Sequence, residues 1–212
     1  MSMSSTLGAE DASRLRECIA SGGIAVFPTD TVYGVCCDAE DQRAAERMYR
    51  LKGRPATRPA AVMFFSIEPA LETLGELPDA ERAALEALLP GPVTVLLANR
   101  AARFAAACRS DPATLGLRVP RLPERLAALG AVAAPLMQSS ANISGEPDAR
   151  TLDEVPQSLR DGADLVLDGG ELAGRPSTVI DLRDFYSDRR WHLLREGALP
   201  RAAVEELLAP LC

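Results

Sequence analysis

Apolar positions along the chain fall into short blocks separated by polar turns, and the spacing inside each block predicts an element. Leu15, Cys18 and Ile19 recur at helical spacing within residues 12–20, and the stretch stops at Ser21-Gly22-Gly23, a natural helix end. Residues 24–27 form an apolar run too short for a helix and read as a buried strand. Pro28 ends that run, Thr29-Asp30-Thr31 makes a polar turn, and residues 32–37 resume an apolar segment. A helix is expected over 41–51, running into Lys52-Gly53-Arg54, and a buried strand over 60–65. The amphipathic stretch 78–89 ends at Pro90-Gly91-Pro92, which no helix crosses.

Strands follow at 93–98 and 115–119, and a short helix at 122–129. The apolar stretch 131–137 leads into the polar run Gln138-Ser139-Ser140-Ala141-Asn142. Further strands are expected at 165–167, 178–182 and 191–194, an exposed charged loop at 184–190, and a closing helix at 202–208. Strands interleave with helices throughout, which predicts the α/β class. No internal repeat or composition break divides the chain, so a single domain over 1–212 is expected.

Polar clusters stand where the apolar runs end: Thr29-Asp30-Thr31 with Tyr33, Lys52-Gly53-Arg54, Ser139-Ser140-Ala141-Asn142 and Pro176-Ser177-Thr178. In α/β sheets, ligands bind in the crevice at strand ends. Any one such cluster is more often a turn cap than a site; their number and the distribution of charge are what point to a site. The net charge of −7 opposes non-specific nucleic-acid binding. Yet no acid stands between Glu46 and Glu68, where Arg47, Arg50, Lys52, Arg54 and Arg58 lie. Lys52 is also the one lysine among 23 basic residues. A compact ammonium inside an arginine-rich patch suits insertion among phosphate oxygens.

Several classes are excluded. No apolar run of 18 residues is present, so no membrane span is expected. The first ten residues have neither the basic nor the apolar part of a secretory signal, so the expected location is cytoplasmic. Five cysteines without a C-x-x-C pair argue against a disulfide framework or zinc site, and one histidine, His192, rules out multi-histidine metal sites. His192 and the Cys36-Cys37 pair read as structural. No P-loop, Rossmann glycine fingerprint or nucleophile elbow is present, so a phosphate site here must be built from separate Arg, Lys, Ser and Asn residues.

Seven segments in order resemble the YrdC-like family of L-threonylcarbamoyl-AMP synthases, in its short form without an extra C-terminal domain. They are Pro28-Thr29-Asp30-Thr31-Val32-Tyr33-Gly34, Lys52-Gly53-Arg54-Pro55 with Arg58-Pro59, Pro90-Gly91-Pro92-Val93-Thr94 and Leu117-Arg118-Val119-Pro120, followed by Ser140-Ala141-Asn142-Ile143-Ser144-Gly145, Pro176-Ser177-Thr178-Val179-Ile180-Asp181 and Arg195-Glu196-Gly197. The resemblance spans about residues 10–200. It implies a twisted, mixed sheet flanked by helices around a positively charged cavity. It implies a nucleotidyltransferase that condenses L-threonine, bicarbonate or CO2, and ATP to threonylcarbamoyl-AMP and pyrophosphate. The product would pass to a tRNA threonylcarbamoyl-transfer complex.

By the same resemblance, Lys52, Arg54, Ser140 and Asn142 form the nucleotide-binding tetrad, with Lys52 and Arg54 carrying the catalytic charge. Arg58, Thr114, Arg150 and Arg195 are further ATP contacts. Thr31, Arg118 and Ser177 contact threonine, with Ser140 near both ligands. No metal is held by the protein itself; Mg2+ arrives with ATP, and Asp30 reads as a turn residue rather than a metal ligand. Two departures stand out: Met63 where long-form members often have histidine, and Ser139 where a proline often precedes the Ser-x-Asn triplet. Two other readings stay open, an RNA-binding module and a carbamoyl-adenylate-forming relative, and direct tRNA binding is left undecided.

Overall fold

The computed structural model describes residues 6–55 and 57–212; Met1 to Ser5, part of the segment read for a secretory signal, and Ala56 lie outside the described residues. In chain order the elements are α1 (Ala9–Ala20), β1 (Ala25–Phe27), β2 (Gly34–Asp38), α2 (Gln42–Leu51), β3 (Ala61–Met63), α3 (Ile67–Leu74), α4 (Asp79–Leu88), β4 (Val93–Ala98), α5 (Ala105–Cys108) and β5 (Thr114–Arg118). A 3-10 turn (Glu124–Ala131) follows, then β6 (Leu136–Ser140), α6 (Gln157–Gly162), β7 (Leu165–Val166), β8 (Thr178–Asp181), α7 (Phe185–Asp188), β9 (His192–Arg195) and α8 (Arg201–Leu208).

The strands join in one mixed sheet of order β7-β1-β2-β6-β3-β5-β4-β8-β9. β3 runs parallel to β5, β4 to β8 and β1 to β7, while the remaining neighbours are antiparallel. Each parallel pair needs a crossover, and the intervening helices supply it, as the alternating pattern implied. Buried apolar side chains form one connected cluster from Leu7 to Leu208. Cys36 and Cys37 lie in it, fully buried.

Three expectations are corrected. The stretch 184–190 is exposed as expected except at Phe185, which is wholly buried in the core, and it holds the one-turn helix α7 rather than loop throughout. A four-residue helix is too short to show a period. The helix expected at 122–129 begins only after Pro123 and is 3-10 rather than α. The strand after the 131–137 run starts at Leu136 and continues through Gln138, Ser139 and Ser140, which pair with β2 and, at Gln138, with β3 as well. Those polar residues are therefore part of the sheet itself rather than a turn beyond it.

Candidate active site

Strand alternation builds the site. Residues i and i+2 of a strand share a face, and Thr94 and Leu96 of β4, Thr114, Gly116 and Arg118 of β5, and Gln138 and Ser140 of β6 line one cavity of about 290 Å³. Val93, Val95 and Leu97, and likewise Leu115 and Leu117, point the other way into the core. The rim comes from the segments beyond the strands: Arg54, Arg58 and Pro59 after α2, Asp148, Pro176 with Ser177, and Arg195 at the end of β9.

The Lys52-Gly53-Arg54 cluster sits where α2 ends. Asp41 caps the start of α2, accepting from Arg43 N at 2.8 Å and Ala44 N at 3.0 Å. At the other end Lys52 N donates to the Met48 carbonyl and Gly53 takes φ +59, a left-handed helix end that suits glycine. This turn drives the Lys52 side chain inward until it is 1% exposed. Its Nζ donates to the Ser140 carbonyl and, at 3.2 Å, to Asn142 Oδ1. Ser140 Oγ donates to the same Oδ1 at 2.6 Å, and Asn142 Nδ2 donates to the Glu146 carbonyl at 2.5 Å. Lys52, Ser140 and Asn142 thus form one hydrogen-bonded unit, with Ser140 as the member that faces the cavity. Burial, with Arg54 and then Arg58 adding repulsion, lowers the Lys52 pKa to about 8.

Arg54 lines the cavity, donates to the Pro59 carbonyl at 2.5 Å and stands 5.9 Å from the Tyr49 ring centroid. Burial lowers its pKa too. The basic patch seen in the sequence therefore divides: Lys52, Arg54 and Arg58 serve the cavity, whereas Arg47 pairs with Asp164 at 2.7 Å, near the start of β7.

Arg118 organises the opposite side. It is 3% exposed, and its Nη2 donates to Asp30 Oδ1 (2.6 Å), Thr31 Oγ1 (2.6 Å) and Thr29 Oγ1 (3.2 Å). Asp30 also accepts from Arg121 N at 3.0 Å, so its carboxylate is committed to Arg118 and the turn. Arg118 lines the cavity, and its Nε is buried without a hydrogen-bond partner among the described residues. Ser177 is 5% exposed; its Oγ lies 2.9 Å from Thr94 Oγ1, and its carbonyl accepts from Arg195 Nε at 3.2 Å and Nη2 at 2.7 Å. Burial lowers the Arg195 pKa, with Arg118 and Arg58 adding to it against Asp148.

Of the residues singled out in the sequence, the structure brings Arg54, Arg58, Thr114, Arg118, Ser140, Ser177 and Arg195 to the cavity wall. Lys52, Asn142 and Thr31 stand immediately behind it through the bonds above. Arg150 is placed elsewhere: it is exposed, forms ion pairs with Glu171 and Glu154, and is not among the lining residues. Met63 is fully buried in β3 beside Arg118 and contributes no lining atoms, whereas Ser139 does line the cavity. His192 is exposed on β9 and stands apart from the cavity. Sequence reasoning gave no role to Thr94, Gln138, Asp111 or Asp148, all of which line it. The two-residue period of β4 carried the signal for Thr94; nothing local marked the aspartates.

Residues 17–197 match the family model Sua5_yciO_yrdC, described as telomere recombination. A curated relative, the threonylcarbamoyl-AMP synthase of Pyrococcus abyssi, is 30% identical over 194 residues, covering 91% of this chain and 56% of the relative. The crystal structure of P. abyssi Sua5 complexed with L-threonine aligns with a TM-score of 0.82 at 30% identity, over 95% of this chain and 58% of that one. The crystal structure of Escherichia coli YciO aligns with a TM-score of 0.77 at 26% identity, over 92% of each chain. The chain spans little more than half the length of the P. abyssi synthase. With the family model covering most of its length and the same fold in both solved structures, the chain belongs to the Sua5/YciO/YrdC family.

Proposed function

We propose that the protein is an L-threonylcarbamoyladenylate synthase, joining L-threonine, bicarbonate or CO2, and ATP, for tRNA threonylcarbamoyladenosine modification. The observation that carries the reading is a single cavity with a cationic, Ser-Asn-backed wall on one side and an arginine-hydroxyl wall on the other. The first suits a triphosphate and the second an amino-acid carboxylate. The likeness to a Sua5 described with L-threonine supports the second assignment.

In this reading Lys52, Arg54, Arg58 and Arg195 neutralise phosphate oxygens, with Ser140 and Asn142 fixing the Lys52 ammonium. The Arg118 guanidinium, with Ser177, attracts the threonine carboxylate. The neutral threonine amine forms an N–C bond to CO2 and loses one proton to solvent, the carbamate nitrogen keeping the other. A carbamate oxygen then attacks the α-phosphorus while the bond to the bridging oxygen breaks, and pyrophosphate leaves with that electron pair. Such transfer rests on positioning and charge stabilisation rather than on a protein nucleophile. Among the described residues no group of three or more metal-ligand side chains occurs. Because Mg2+ keeps several waters and uses few protein carboxylates, one arriving with ATP would take its ligands mainly from phosphate and water; Asp148 and Asp111 are the carboxylates lining the cavity. The adenylate would then pass to a tRNA threonylcarbamoyl-transfer complex.

The test is pyrophosphate release with each substrate omitted in turn. Release that needs both threonine and bicarbonate supports the reading; release indifferent to threonine, or none, overturns it.

A further inference from the structure

Thr94 stands in the cavity with no part in the assignments above. It is 8% exposed, and its Oγ1 lies 2.9 Å from Ser177 Oγ. β4 and β8 are parallel neighbours, with Val93 in register with Thr178, so the contact is set by the sheet rather than by a free loop. The other partner of Ser177 Oγ is Arg195 Nη2, at 3.4 Å, and Arg195 is tied to the Ser177 carbonyl by two further bonds.

A serine hydroxyl has one proton and two lone pairs, and a guanidinium only donates. Arg195 therefore occupies one lone pair. When Thr94 donates into the other, the Ser177 proton must turn away from both partners, and the open direction is the cavity. A proton held there suits a group that only accepts, such as a carboxylate or carbamate oxygen.

We propose that Thr94 is a positioning residue of the amino-acid subsite: its hydroxyl donates to Ser177 and so turns the Ser177 hydroxyl toward an anionic oxygen of the amino-acid substrate. This rests on the synthase reading. Thr94→Val keeps the branched shape and favours a strand, but removes the donor. The threonine KM should rise about three- to tenfold, the range of one neutral hydrogen bond, while kcat, the ATP KM and the melting temperature stay near wild type. Thr94→Ser, which restores the hydroxyl, should recover most of the loss. Calorimetric threonine binding gives a second readout for both variants. A wild-type threonine KM in Thr94→Val, or Thr94→Ser as impaired as Thr94→Val, overturns the role of Thr94 alone. A wild-type protein that neither binds threonine nor uses it overturns the synthase reading, and the subsite with it.

Discussion

Lys52 is the residue on which the proposed synthase chemistry depends most. Burial of its ammonium, with repulsion from Arg54 and Arg58 outweighing attraction by Asp148, brings its pKa down to about 8. A polyphosphate reverses that balance and draws the pKa back up. Nucleotide binding should therefore take up a proton near pH 8, about half a proton per site at that pH and almost none at pH 6.5. Affinity should fall as pH rises through 8, where the empty site loses its charge. Calorimetry in buffers of different ionisation enthalpy checks this, and proton release on binding would contradict it. Lys52→Met keeps the packed stem and removes the charge. It should lower turnover about 100-fold, equivalent to about 2.7 kcal/mol of transition-state stabilisation, with only a small change in melting temperature, because relief from burying an ammonium offsets the hydrogen bonds lost at the Ser140 carbonyl and Asn142 Oδ1. Loss of folding in Lys52→Met would mean that the lysine serves the core instead. Lys52 was legible from composition, as the one lysine in an arginine-using chain; its burial was not, because a turn residue after a helix is ordinarily exposed. Arg118 shows a different limit. Its place in Leu117-Arg118-Val119-Pro120 suggested a ligand contact, but sequence cannot reveal that one of its nitrogens is saturated by the Thr29-Asp30-Thr31 turn.

Among the elements, legibility followed length and period. β4 occupies the range its apolar run predicts, and α2 and α8 fall within one residue of expectation at each end. The helix α3 escaped notice, with Pro69 in its first turn masking the pattern, as did the short helices α5, α6 and α7. The polar end of β6 escaped because a strand that lines a cavity carries hydroxyls and amides where a solvated turn would. The segment after β9 supplies a test at this scale. Gly197 N donates to Thr178 Oγ1 at 2.9 Å, and a Cβ at Gly197 would lie 2.6 Å from the Ser177 carbonyl carbon. Gly197→Ala must therefore push this segment off the Pro176-Ser177 turn and carry Arg195 with it. Overpacking of this kind costs about 1–3 kcal/mol. The expected result is a lower melting temperature together with a raised threonine KM; an unchanged KM would detach the segment from the site.

For the whole molecule, charge and cavity point to different ligands. The net charge of −7 repels a long polyanion, while the arginines that line the cavity, with Lys52 behind them, attract a small one. With tRNA at about 0.15 M salt, a mobility shift should be absent; a tight, salt-sensitive complex would favour the RNA-binding alternative. Among the described residues no helix is long and apolar enough to cross a membrane.

In the proposed reaction one cavity holds both substrates and joins them through a carbon taken from bicarbonate. The decisive measurement is mass spectrometry of the nucleotide product formed from L-threonine, ATP and carbon-13 bicarbonate. The expected product is a threonylcarbamoyl-AMP ion carrying a single labelled carbon, formed only when threonine is present. An unlabelled product, or AMP and pyrophosphate released without threonine, would rule the proposed reaction out.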